Sequence, residues 1–291
     1  MKAEIWDSRE CYLGEGPVAT GPKNELVLWV DITGQRILWR DITTAESGEW
    51  FIGEDTSFVV PRLAGGMVIG TARGPVIYHE DGRREILPTR WDADGFNDAM
   101  PIRWNDAKVS PDGDLWLGTM AYGGAHKVGA LYRLSKDGKV LSRMLSDIQI
   151  SNGLDWSNDG KTFYYIDTPT FGIDAFDYQE GSISNRRRLW TADSSLDELP
   201  DGMTVDSEDG LWVAIWGGSC VRRIDTNLQV TEEIQLPNKY ITSCAFAGSD
   251  LKTLIITTAK GDNGLFDDHK QAGMTYAVTP GVVGKASYAF G

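Results

Sequence analysis

Six short apolar stretches recur along the chain at nearly equal intervals, and a repeat of that kind fixes architecture before any single residue is interpreted. They are Leu26 to Asp31 (LVLWVD), Met67 to Thr71 (MVIGT), Leu115 to Thr119 (LWLGT), Phe163 to Asp167 (FYYID), Leu211 to Ile215 (LWVAI) and Leu254 to Thr258 (LIITT). Their starts lie 41, 48, 48, 48 and 43 residues apart. Each is followed across a turn by a second alternating stretch, from RILWRD in the first copy to TYAVTPG in the last, rich in aromatic and β-branched residues. Glycine, 33 in all, supplies the turns, and helical periodicity is hard to find. A period in the forties with about four short strands per copy predicts an all-β fold, a six-bladed β-propeller formed as a single domain by residues 1–291. A two-sheet sandwich does not need spacing this regular.

A closed ring must join its last blade to its first. The final repeat has room for only about three strands of the usual four, whereas Ala3 to Ser8 (AEIWDS) is strand-like and otherwise unassigned. That segment is expected to complete the sixth blade and so protect an edge that would invite aggregation.

Charge narrows the partners. The formal net charge of -14 comes from Asp and Glu scattered through the sequence, which disfavours nucleic acid and anionic membrane by repulsion. No run approaches the roughly 18–20 apolar residues of a spanning helix, and MKAEIWDSRE carries charge where a signal peptide is apolar. A cytoplasmic protein is expected, monomeric or weakly self-associating. Cys11, Cys220 and Cys244 are odd in number and lack CxxC spacing, so they are expected to be buried small hydrophobes rather than disulfides or zinc ligands.

Four polar residues precede their blade's apolar stretch by nearly one distance: Glu15 and Asn152 by 11 residues, Asn105 and Asp201 by 10. In a radial array such positions lie on one ring about the axis, at the channel mouth. Two carboxylates and two amide oxygens are hard donors suited to one divalent ion, Ca²⁺, Mg²⁺ or Mn²⁺, and acceptable to Zn²⁺ or Fe²⁺. Taken singly, Asn152-Gly153 and Asp201-Gly202 are ordinary turn dipeptides. Together, at one offset, they point to a site, because crowded acidic side chains repel unless a cation holds them. The two remaining blades offer only Ser57, and Ser243 with Cys244. Arg103, two residues before Asn105, is placed near the same mouth to bind substrate oxygens, or else forms a surface salt bridge.

Other motifs fail on their chemistry. Gly14 to Ala19 matches GxGxxA, but Pro17 interrupts the loop and Glu15 repels phosphate. Asp92, Asp94, Gly95, Asn97 and Asp98 lack the EF-hand order and its terminal Glu, which leaves a solvated loop. His79, His126 and His269 share no ligand spacing, and no GxSxG elbow occurs.

At these residues the sequence closely resembles the SMP-30/regucalcin/gluconolactonase family. The resemblance runs through LGEGP at 13–17, RWNDAKVSPDG at 103–113, GTM at 118–120, ISNGLDWSNDGKTFYYIDT at 150–168, FDY and ISNRR within 176–187, PDGMTVD at 200–206 and LWVA at 211–214. It implies a propeller that hydrolyses sugar lactones, with one divalent metal on Glu15, Asn152 and Asp201. It also implies substrate contacts from Arg103 and Asn105, and an acid/base role for Asp201. One departure bears on substrate preference: some members carry acidic residues after GTMA, where this chain reads Tyr122-Gly123-Gly124. The rival expectations are a promiscuous metal-dependent esterase or phosphotriesterase on the same propeller, and a non-catalytic calcium-binding propeller.

Overall fold

The computed structural model describes residues 1–89, 102–124, 126–262 and 264–291. The segment with Asp92, Asp94, Gly95, Asn97 and Asp98 lies outside them. Five of the six four-stranded sheets are built by antiparallel strands that step outward in chain order, and the sixth takes its outer strand from the start of the chain. Blade 1 holds Gly14–Thr20, Leu26–Asp31, Arg36–Asp41 and Ser47–Phe51; blade 2 holds Thr56–Pro61, Met67–Thr71, Gly74–Tyr78 and Arg84–Ile86. Blade 3 runs from Ile102–Val109 through Leu115–Ala121 and Gly129–Leu134 to Leu141–Ile148. Blade 4 runs from Ser151–Trp156 through Thr162–Asp167 and Gly172–Gln179 to Ser182–Thr191. Blade 5 comprises Leu199–Val205, Leu211–Trp216, Cys220–Ile224 and Val230–Gln235.

Blade 6 contributes only Ile241–Ala247, Thr253–Thr258 and Thr275–Val278 from its own end of the chain, and its outer strand is Glu4–Asp7 from the other. Glu4 pairs with Ala277 and Asp7 with Thr275, so the N-terminal strand closes the ring as expected. The first strand of each blade packs against that of the next, including blade 6 back against blade 1. The result is a six-bladed β-propeller. The described residues form strands and turns with two 3₁₀ turns, Thr168–Thr170 and Ser194–Leu196, and no helix among them is long and apolar enough to cross a membrane.

Alternation decides what each strand buries. Trp29, Trp104, Trp116, Trp156 and Trp212 are all fully buried, and rings interlock between blades 3 and 4, where Trp116 meets Trp156 at 5.9 Å and 76° and Phe163 at 4.9 Å. Each such side chain removes roughly 150–250 Å² from water, which makes the blade interfaces the main source of stability. The three cysteines are buried and free, and burial pushes the Cys220 and Cys244 thiols up to about 12.

Past blade 6 the chain crosses the end of the channel away from Glu15 and Asp201. Val283 and Gly284 bond to Ser207 and Leu251, and Phe290 bridges to Arg62, on the opposite side of the ring. Between these anchors Lys285 Nζ donates to Asp155 Oδ1 at 2.8 Å, while Lys108 Nζ donates to Asp155 Oδ2 at 3.0 Å. Burial alone would raise the Asp155 carboxyl, but the Lys108 and Lys285 charges and the Trp156 N–H outweigh it and hold it at about 2.

Asp155→Ala leaves two ammonium groups facing each other and is expected to cost about 3–5 kcal/mol in urea denaturation at pH 7. Because the folded value lies below the unfolded one, the Asp155 contribution is full above about pH 4 and disappears as pH falls toward 2. The loss caused by Asp155→Ala should therefore shrink in acid. A loss that is the same at pH 3 and pH 7 contradicts this account.

Candidate functional site

A shared irregularity positions the side chains at the mouth. In every blade the first strand carries one residue more than the second, so its register shifts: between Glu15 and Val18, Thr56 and Phe58, Trp104 and Ala107, Ser151 and Leu154, Pro200 and Met203, and Ile241 and Ser243. A bulge bends the strand and re-aims its side chains. Asn105, Asn152 and Asp201 occupy the bulges of blades 3, 4 and 5, and Glu15 immediately precedes that of blade 1.

Asn152-Gly153 and Asp201-Gly202 are therefore strand residues and not turns. A Cβ on Gly153 would lie 2.6 Å from the Asp201 carbonyl oxygen, and one on Gly202 would collide with Ser243 Oγ of the next blade. Only glycine lets neighbouring first strands approach this closely at the bulge. Ser243 and Cys244 line the channel below the mouth, and Ser57 Oγ is held by the Trp104 carbonyl at 2.7 Å.

Glu15, Arg103, Asn105, Asn152 and Asp201 line one cavity of about 330 Å³. Each is buried, with 5–8% of its surface exposed. Asn105 ties blades 3 and 4 together: its Nδ2 donates to Asn152 Oδ1 at 2.6 Å and to the Ser151 carbonyl at 2.8 Å, and its Oδ1 accepts from Arg103 Nη1 at 2.5 Å. Asn152 Nδ2 donates to Thr168 Oγ1 at 2.7 Å, and that hydroxyl donates to the Pro200 carbonyl at 2.8 Å. Arg103 is a buried residue here rather than a surface ion pair, with a second bond to the Trp104 carbonyl at 3.1 Å.

The two carboxylates are in an unfavourable place for charge. Burial, then the charges of Asp106 and Asp262, push Glu15 up to about 8 against the Gly16 N–H and Arg103. Burial, then Glu15, Asp106 and Asp262, push Asp201 well above the usual carboxylate range, again against Arg103. Asp201 Oδ1 is buried without a hydrogen-bond partner. An orphaned anionic oxygen beside a second carboxylate is costly unless protonated or held by a cation.

The donor chemistry fits a divalent cation. Among the described residues no group of three His, Cys, Asp or Glu gathers to hold a metal, so any such site has to be mixed. Glu15, Asp201 and the Asn152 amide oxygen are hard donors of the kind Ca²⁺, Mg²⁺ and Mn²⁺ take, with water filling further positions. Asn152 Oδ1 accepts from Asn105 Nδ2, which orients it and leaves its second lone pair for a cation.

A family model described as the SMP-30/Gluconolactonase/LRE-like region matches residues 13–260. The chain belongs to that family. Regucalcin of Danio rerio is 38% identical over 302 residues, covering 100% of this chain and 98% of that protein. A Bacillus subtilis protein named "Putative sugar lactone lactonase YvrE" is 36% identical over 268 residues, covering 89% of this chain and 87% of its own. Among solved structures, a luciferin-regenerating enzyme superposes with a TM-score of 0.87 at 29% identity over 99% of each chain. The SMP-30/gluconolactonase family thus contains proteins named for lactone hydrolysis and others named regucalcin.

Within this family member, several lining residues escaped the repeat analysis. Asp106, which lines the channel below this cavity, stands in the blade 3 bulge where blades 4 and 5 carry Gly153 and Gly202, so it brings a carboxylate where they bring none. Aligning the repeats at that position would have shown it. Thr168, Leu199, Trp216, Asp262 and Leu265 come from strand ends and from the small hairpin of Gly261–Asp262 with Leu265–Phe266, where no period operates. At the family departure, Tyr122 Oη donates to Asp55 Oδ2 at 2.8 Å, and Gly123 and Gly124 line the cavity.

Protein stripped of divalent cations is expected to lose stability as pH rises from about 4.5 to about 8, because folded Glu15 retains a proton that the unfolded chain releases. Glu15→Gln removes that penalty and should stabilise the stripped protein at pH 8 by on the order of 2 kcal/mol. Added Mn²⁺ or Ca²⁺ should raise the denaturation midpoint of the wild type and leave that of Glu15→Gln nearly unmoved. A stripped wild type with equal midpoints at pH 5 and pH 8 would remove the basis for a raised Glu15.

Proposed function

We propose that this chain hydrolyses sugar (aldono-)lactones to the corresponding sugar acids, with one divalent cation held by Glu15, Asn152 and Asp201. The observation that carries this reading is Asp201 Oδ1, a buried carboxylate oxygen with no partner, in the same cavity as a buried arginine and two amides. The name of the Bacillus subtilis relative points to the same substrate class. A divalent cation there supplies Lewis-acid polarisation of the lactone carbonyl.

Arg103 and Asn105 bind the ring substituents and hold the carbonyl carbon in line with the attacking water. Asp201 accepts a proton from that water as its oxygen bonds to the carbonyl carbon, and then delivers it to the ring oxygen as the ring C–O bond breaks. Water is consumed, and a hydroxy acid leaves. Arg103, fixed by Asn105 and the Trp104 carbonyl, keeps its remaining N–H groups available to the substrate.

The same donor set would also serve a propeller that only binds calcium, a reading favoured by the hard oxygen donors of Glu15, Asn152 and Asp201. Protein stripped of metal and refilled with one ion at a time, assayed on glucono-, xylono-, arabino- and galactonolactone and on simple esters, separates the two. Turnover of at least one sugar lactone is expected. Asp201→Asn should lower kcat by about 10²–10⁴-fold with the circular dichroism spectrum unchanged. Full activity in that variant ends the assignment of Asp201, and absence of turnover with every metal ends the lactonase reading.

A further inference from the structure

The same cavity is also lined by Leu13, Met120, Ile150, Leu199, Trp216 and Leu265, and among its described lining residues Trp216 is the only aromatic side chain. It ends the second strand of blade 5 and pairs with Leu199, two residues before Asp201. Asp201 follows Leu199 in the same strand, and Asp201 and Trp216 both line the one cavity.

The indole is also held. Tyr240 stacks on it with centroids 4.3 Å apart at 25°, and a backbone bridge ties Trp216 to Tyr240 across the junction of blades 5 and 6. Trp216 is nonetheless only partly buried, and it lines the cavity. A rigid, electron-rich surface in one cavity with a cluster of hydrogen-bonding groups has the chemistry to take a ring with one C–H face and one hydroxyl-bearing edge.

We propose that Trp216 is a specificity-determining residue of this cavity, the platform on which the C–H face of a five- or six-membered lactone ring lies while its hydroxyl groups reach Arg103 and Asn105. This rests on the lactone reading above. Stacking is available only to a closed ring, so Trp216 favours the lactone over the open-chain acid that hydrolysis leaves, and product release follows. An acyclic ester has no ring face to offer and gains nothing from the indole.

Two measurements test the assignment, and the first does not depend on turnover. D-gluconolactam, a ring that keeps the carbonyl and resists hydrolysis, is titrated into wild type and Trp216→Phe, and the difference in tryptophan emission isolates the indole at 216. Quenching of that difference signal by the lactam, with no such response to gluconate, is expected. In steady state, Trp216→Ala should raise KM for gluconolactone about tenfold with kcat nearly unchanged, and leave KM for an acyclic ester unmoved. Trp216→Phe, which retains a ring against Tyr240, should fall between and shows that any loss in the alanine variant is not misfolding. If the lactam leaves the difference emission unchanged and KM for lactone is the same in all three proteins, Trp216 is no platform, whatever the activity of the wild type. If the wild type turns over no lactone yet the lactam quenches Trp216, the ring-binding assignment stands and the hydrolytic reading fails.

Discussion

The arrangement depends on six strands being brought close around one axis, with too little room there for ordinary side chains. Gly153 faces the Asp201 backbone and Gly202 faces Ser243, each across a blade junction that a single methyl group would obstruct. The bulge that every first strand carries at this level makes the approach possible and, in blades 1, 3, 4 and 5, accompanies a polar side chain at the mouth. Closure by Glu4–Asp7 holds the last blade in the ring, and with it the alignment of side chains that are 186 residues apart, such as Glu15 and Asp201. The polar cluster is therefore a property of the closed ring, and no single blade contains it.

Two aspartates in this channel show how partners decide the charge of a buried carboxylate. Asp155 and Asp201 are equally hidden, with 2% and 5% of their surface exposed. Asp155 receives two lysine ammonium groups and backbone N–H groups from Trp156 and Val205, and its carboxyl is held down at about 2. Asp201 meets Glu15, Asp106 and Asp262 instead, with Arg103 as its only opposing charge of note, and its carboxyl is pushed up. Burial acts in the same direction on both, so the partners decide the outcome. Below the mouth Lys108 and Lys285 both meet Asp155, whereas at the mouth the carboxylates of Glu15, Asp201 and Asp262 outnumber the Arg103 guanidinium. Such an excess favours a cation over an anion at that end of the channel.

The fold was legible because its signal repeats. Strand periodicity is read six times over, and a missing fourth strand in the last copy leaves Ala3 to Ser8 as the segment available to fill it. The ring positions of Glu15, Asn105, Asn152 and Asp201 followed from the same spacing, and the structure brings all four to one cavity with Arg103. What the spacing could not convey was geometry that breaks the period. The bulge converts Asn-Gly and Asp-Gly from turn dipeptides into strand residues, a conversion that needs the neighbouring blade to explain it. Thr168 and Trp216 lie at strand ends, and Lys285 lies in a tail with no counterpart in the other copies, so repetition gave no reason to single them out.

The Tyr122-Gly123-Gly124 segment illustrates how a local substitution redistributes recognition. Tyr122 turns its hydroxyl to Asp55, outside the cavity lining, and the two glycines that follow present bare backbone to the interior. A wall without side chains supplies neither charge nor bulk, so it can neither bind a hydroxyl strongly through a carboxylate nor reject a substituent by collision. On the proposed function, the groups left to select among ligands are the fork of Arg103, the amide of Asn105, and the apolar surface of Leu199, Trp216 and Leu265, all of which line the cavity. A hydrogen-bonding half discriminates by the hydroxyl groups it would leave unpaired, whereas an apolar half discriminates weakly, by shape and by a methylene or two. The cavity should accordingly be strict about the edge of a ring that faces Arg103 and permissive about what extends toward Leu265.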